Sequence, residues 1–161
     1  TISNCAAYQT ADSLRWLTHT AYRTKELSQT FSDLGFGTDE RRYWEQDPAW
    51  QGWRKLVEHA LVAWDWAEGF VALSLVVRPA VEEAVLRSLG EAARHNGDTM
   101  LGLLTDAQLA DAQRHRRWAG ALVRMALEQP GNREVITGWL AKWEPLADEA
   151  RELREGVRHA V

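Results

Sequence analysis

The sequence predicts an all-helical bundle of four to five long helices, forming a single domain over residues 1–161. Three observations carry this expectation. Apolar residues recur at three- and four-residue intervals over long stretches. No segment shows strand alternation or a short internal repeat. The helical patterns are joined by short connections, and no linker divides the chain.

The first helix is expected from about Ser3 to Ser28. Ala7, Ala11, Leu14, Thr18 and Ala21 form a small-residue stripe that would let a neighbouring helix approach closely. Asp12, Arg15, His19, Arg23 and Glu26 form a polar stripe on another face, each three or four residues from the next. Residues 31–47 read as a loop, with Gly35 and Gly37 as breakers. Asp47-Pro48 is a helix start, with Asp as N-cap and Pro in the first turn. The second helix is expected to run to about Arg78, with Trp53, Val57, Ala60, Trp64, Ala67 and Val71 along one face. Pro79 would end or kink it.

Helix resumes from Pro79 towards His95, and Asn96-Gly97 reads as its stop. The next pattern covers residues 99–129, with Gly102 or Thr105 as the place for a break. Pro130-Gly131-Asn132 is a turn. A last helix carries Trp139 and Trp143 and is expected to bend or restart at Pro145. The charged tail from Glu149 to His159 is expected to fray.

Composition narrows the function classes. With 26% charged residues and a net charge of −4, the chain offers no electrostatic footprint for nucleic acid. The basic run Arg114–Arg117, with His115 inside it, lies in a helical pattern and reads as a solvated face or a partner surface. Cys5 is alone, so no internal disulfide or cysteine metal cage can form, which suits a reducing cytoplasm. The most apolar stretch, Ala60 to Val77, carries Asp65 and Glu68 near its middle. Each costs roughly 2.5–3.5 kcal/mol in a bilayer centre, so a core helix is expected there and not a membrane span. No signal peptide is visible, and the chain opens on Thr1, as a fragment or processed product would. Nine Trp against two Met point to ring-rich core or helix interfaces.

Asp65 and Glu68 are three residues apart on one expected face with Leu61, Ala72 and Leu75. Buried acids must be paired, protonated or bound to a cation. A metal-binding or proton-handling pair and a structural polar network, with Arg15, Arg23 or Arg78 as partners, both stay open. Asp111 and His115 lie at i, i+4 beside Leu104, Trp118, Leu122 and Met125, where a local pair is the ordinary reading. With Asp65 and Glu68 they would make a degenerate metal site. His19 reads either as a proton relay or as a satisfied interface histidine.

A self-contained diiron bundle needs Glu-x-x-His on each of two helices. No such spacing occurs; Glu91 to His95 and Glu155 to His159 are four apart. Hydrolase elbows, phosphate loops and zinc-protease motifs are also missing.

The run Gln9-Thr-Ala-Asp-Ser-Leu-Arg-Trp-Leu-Thr-His-Thr-Ala-Tyr-Arg-Thr24 resembles the β subunit of toluene monooxygenases, four-component diiron enzymes. The similarity continues at Asp65-Trp-Ala-Glu-Gly-Phe70, Leu75-Val-Val-Arg-Pro79, Asp111, Arg114-His115, Trp118, Gly138-Trp139 and Lys142-Trp143-Glu-Pro-Leu-Ala147. Phenol and methane hydroxylase β subunits resemble it more distantly. Family β chains carry a long N-terminal half before this region, so the match is to the C-terminal half only.

The resemblance implies a ferritin-like bundle and an (αβγ)2 hydroxylase with α and γ partners. In that assembly only α holds the diiron centre that activates O2 and hydroxylates the ring. This chain would then be a non-catalytic scaffold with no cofactor and no catalytic residue of its own. Asp65, Glu68, Asp111 and His115 would form a buried polar network, and Arg15, His19 and Arg23 a subunit interface. The alternative is a free-standing helical scaffold, homo-oligomeric and without a monooxygenase partner.

Overall fold

The computed structural model describes residues 2–160, with side chains through Glu155. Those residues form six helices and no strand. They are α1 (Ile2–Thr30), α2 (Glu40–Gln46), α3 (Pro48–Leu61), α4 (66–95), α5 (Thr99–Ala126) and α6 (Asn132–Ala160). No helix among them is long and apolar enough to cross a membrane.

Local signals set most of the boundaries. The Asp47 carboxylate accepts from the Ala49 amide at 2.9 Å and caps α3 above Pro48. Gly97 and Gly131 take positive φ at the ends of the α4–α5 and α5–α6 connections, a conformation that side-chain-bearing residues rarely adopt. Residues 31–47 hold a short helix, α2, where the breakers predicted only loop.

Several expectations are corrected. The helix predicted from Asp47 to Arg78 is two helices. Its continuity fails at residues 62–65, because Asp65 leaves helical geometry and caps a new start. Its carboxylate accepts from Ala67 N at 2.7 Å and Glu68 N at 3.2 Å. Trp64 is therefore fully exposed and no face-mate of the buried Trp53.

Pro79 does not end the helix. It lies between two π-helical segments, Ala72–Val77 and Glu82–Arg87, inside a continuous α4. The wider π turn leaves room for the ring and removes the demand for a regular i to i−4 bond. Gly102, Thr105 and Pro145 likewise leave their helices unbroken. Pro145 faces water while Trp143 and Ala147 face the core, so the carbonyl it frees lies on the wet side. The predicted tail is helical through Ala160, and the side chain of His159 lies outside the described residues.

The core is built by α3, α4 and α6. Trp53 and Leu56 pack with Ala72, Val76, Val77 and Ala80 and with Trp143, Ala147 and Ala150. Burying each large side chain stabilises by about 1.5–3 kcal/mol. Gly52 lets α3 and α6 meet closely, since a Cβ there would stand 2.6 Å from Ala150 Cα. Helix α5 closes on α4 as a hairpin, and α1 lies along α5, outside the core.

Candidate functional site

Where α1 meets α5 and α4, the fold buries charge and not hydrocarbon. Asp12 is the one buried side chain of α1 among the described residues. Its carboxylate accepts from His115 Nε2 at 2.9 Å, from Arg15 at 3.2 Å and from Arg114. Asp111 of α5 accepts from Trp16 Nε1 at 2.9 Å, from Arg114 at 2.9 Å and from Arg15. From α4, Arg78 reaches His115 Nδ1 at 2.9 Å, lies 5.6 Å from the Trp16 ring centre and sits 3.9 Å from Glu82. Arg116 holds Glu82 through two nitrogens, at 2.9 and 2.6 Å.

The geometry fixes the state of the imidazole. A guanidinium can only donate, so Nδ1 of His115 accepts from Arg78 and Nε2–H donates to Asp12. Three carboxylates (Asp12, Asp111, Glu82) face four guanidiniums (Arg15, Arg78, Arg114, Arg116), leaving one net positive charge.

Burial alone would raise the carboxyls of Asp12 and Asp111. The donors outweigh it, Arg114 and His115 for Asp12 and Trp16, Arg114 and Arg15 for Asp111. Both are held below their ordinary value. For Arg78, burial is the leading effect and lowers its value, against the pull of Glu82 and Asp12.

Such a cluster can orient helices, but it does not fit a metal centre. Every carboxylate in it already faces an arginine, and a cation would have to displace one. Among the described residues no group of three or more His, Cys, Asp or Glu side chains stands together as a metal would require. The described residues therefore do not fit a diiron centre.

The four residues predicted to share one network occupy two places. Asp111 and His115 meet in the cluster. Asp65 is an exposed cap, and Glu68 accepts from Lys142 at 2.6 Å and Trp143 Nε1 at 2.9 Å, tying α4 to α6. The Lys142 hydrogen bond is the largest influence on Glu68 and holds its carboxyl below the usual value. Arg15 and Arg23 pair inward, with Asp111 and with Asp98 at 2.6 Å, while His19 is exposed. Asp12 lies on the polar stripe and Arg114 and Arg116 in the basic run, and no spacing in the sequence joins them. Their signal was an acid–base stripe on one helix and an acid–base stripe on another.

Asp12, Arg23 and Glu26 of the polar stripe turn towards the rest of the molecule, while Arg15 reaches in from an exposed position and His19 is exposed. The small-residue stripe, predicted as a packing face, lies exposed: Ala7, Ala11, Leu14, Thr18 and Ala21, flanked by exposed Tyr8, Leu17 and Tyr22. A second apolar surface lies at the α3–α4 corner, where Leu61, Val62, Trp64 and Trp66 are all exposed. Between α1 and the α4–α5 hairpin runs a half-open groove of about 1140 Å³. Surfaces of this kind mark places where other protein binds.

The family model for methane, phenol and alkene hydroxylases matches residues 1–130. Over 152 residues the chain is 59% identical to the β subunit of the toluene-4-monooxygenase hydroxylase component of Ectopseudomonas mendocina. That alignment covers 94% of this chain and 46% of the relative. It is 33% identical over 134 residues to the phenol 2-monooxygenase oxygenase component DmpL of Pseudomonas sp. (strain CF600), covering 77% of this chain and 40% of the relative. A solved structure of toluene 4-monooxygenase with toluene in its resting active site superposes with a TM-score of 0.91 at 58% identity. It covers 96% of this chain and 51% of that one. The chain spans about half the length of these relatives.

Proposed function

This chain belongs to the methane, phenol and alkene hydroxylase family, and on that premise we propose that it serves as a non-catalytic β-type subunit of an aromatic-ring diiron monooxygenase. Its role is to scaffold the iron-bearing α subunit during O2-dependent ring hydroxylation. The 161 residues act as one all-helical unit of that subunit, in the cytoplasm. Its partners are α and γ, in an (αβγ)2 assembly.

One observation carries the reading. In a chain so similar to a hydroxylase β subunit, the buried acids and histidine of the α1–α5 contact are committed to arginines. That arrangement locks helices together and leaves no open ligand position for chemistry. The exposed stripe of α1 and the Trp64 corner supply apolar surface for the partner subunits. Iron, the ring substrate and its regiospecificity all belong to α under this proposal.

Co-purification with a tagged α subunit, with iron measured in each fraction, tests it. The expected result is a stable complex whose iron tracks α, and less than stoichiometric iron on the separated chain. Two irons per chain, or ring hydroxylation by the chain alone, would overturn it. The same exposed faces favour a second reading, a scaffold that covers them by self-association. Light scattering separates the two: a discrete, stable oligomer that ignores α supports the scaffold.

A further inference from the structure

Helix α1 is fastened to the molecule differently from the others. The α3–α4–α6 core is held by buried Trp53, Leu56, Trp143 and small residues. In α1, Trp16 and Leu27 are half-buried, and no apolar side chain among the described residues is buried.

What holds α1 is charge, at three levels along its length. Asp12 meets Arg114 and His115, Arg15 and Trp16 meet Asp111, and Arg23 meets Asp98. The groups facing this contact are Arg78 and Glu82 from α4, Asp98 at the cap of α5, and Asp111, Arg114, His115 and Arg116 from α5. Arg15, Arg23 and Glu26 complete the α1 side, and His19 on the same stripe is exposed. Beyond the Asp12–Trp16 contact, the second half of α1 bridges the groove, with Thr20, Thr24 and Leu27 as its wall.

We propose that α1 is an electrostatically latched strap, which releases from the α4–α5 hairpin as a unit, ahead of the α3–α4–α6 core, and uncovers the groove.

The physical ground is a difference in what each contact responds to. Apolar burial in the core is indifferent to moderate salt. The latch arginines Arg15 and Arg114 keep 49% and 50% of their side chains exposed, so dissolved ions reach their pairs and screen them. A buried carboxylate such as Asp111 accepts three of these bonds at once, so removing its charge shifts opening by roughly tenfold even though each half-exposed arginine pair counts for less. A helix of 29 residues can keep part of its helicity when undocked, so release need not unfold it. Regions that open at low free energy are those with few buried apolar contacts, which describes α1.

Hydrogen–deuterium exchange on the full chain, resolved by peptide, tests the strap. At about 50 mM NaCl, peptides of α1 are expected to exchange at least about tenfold faster than those of α3 and α6. Raising NaCl to about 500 mM should speed α1 further and leave α3 and α6 unchanged. Asp111→Asn should speed α1 by about tenfold with the core unmoved. Leu27→Ala, which trims the half-buried apolar contact, should have a smaller effect. The proposal is overturned if α1 and the core exchange at one common rate. It is equally overturned if salt has no effect on α1 while Leu27→Ala matches Asp111→Asn. The salt comparison uses the unaltered chain, so a variant that fails to fold leaves the test intact.

Discussion

Replacing Asp12 separates the role of its charge from the role of its hydrogen bond. In Asp12→Ala the buried His115 Nε2–H loses its acceptor, since the carboxylate it meets at 2.9 Å is gone. A buried donor left unpaired costs about 1–3 kcal/mol. Arg114 is half-exposed and keeps Asp111 at 2.9 Å, so its own loss is about 0–1 kcal/mol. Removing one carboxylate also raises the cluster from one net positive charge to two, with Arg78 closest to His115. The first two effects come to about 1–4 kcal/mol, most of it from the orphaned imidazole, and the added positive charge acts in the same direction.

Asp12→Asn keeps an oxygen for His115 and removes the charge together with the oxygen that accepts from Arg15. Its expected cost is about 1–2 kcal/mol. Amide exchange in α1 should therefore accelerate by roughly a hundredfold in Asp12→Ala and by roughly tenfold in Asp12→Asn. Equal effects for the two variants would refute the reasoning, because they would mean that the His115 hydrogen bond contributes nothing. A larger effect of Asn than of Ala would refute the tautomer assigned to His115.

Three further outcomes follow from other parts of the molecule. Gly52→Ala places a Cβ 2.6 Å from Ala150 Cα, a backbone atom that cannot rotate away. The overpacking cost of about 1–3 kcal/mol should exceed the gain in helix propensity, about 1 kcal/mol at most, so urea unfolding should show lower stability with an unchanged slope. On acidification, Asp12, Asp98, Asp111 and Glu68 are all held below their ordinary values. Their contribution is present above the unfolded carboxylate range, near pH 4, and is lost as pH falls through the depressed values. Circular dichroism should therefore show little change from these groups between about pH 8 and 5 and a loss below about pH 4. Trp64→Ser removes a fully exposed ring, so chain stability should stay within about 0.5 kcal/mol. Under the proposed subunit role, capture of this chain by α should weaken, measured by pull-down.

Much of the architecture was legible because the signals are local. Asp47-Pro48, Asn96-Gly97 and Pro130-Gly131 each act through their own backbone geometry, and all three boundaries lie where those residues dictate. Trp143 and Trp53 were expected to be ring contacts, and both are core. The candidate site was only half legible. The Asp111–His115 pair was visible as a spacing, but its partners Asp12 and Arg78 are 103 and 37 residues from His115 in sequence.

The all-helical fold, the boundaries at Asp47-Pro48, Asn96-Gly97 and Pro130-Gly131, and the lack of Glu-x-x-His were determined by the sequence itself, since propensity, capping and spacing are properties of neighbouring residues. The tertiary structure decided three things. It broke the helix at residues 62–65, where Asp65 is worth more as a cap than in mid-helix. It carried α4 through Pro79 by widening the turns on either side. It chose which face of α1 turns inward. Periodicity gave α1 a small-residue face and a charged face without ranking them. The choice rests on counter-charges from α4 and α5, because a carboxylate such as Asp12 can be buried only where guanidiniums wait for it.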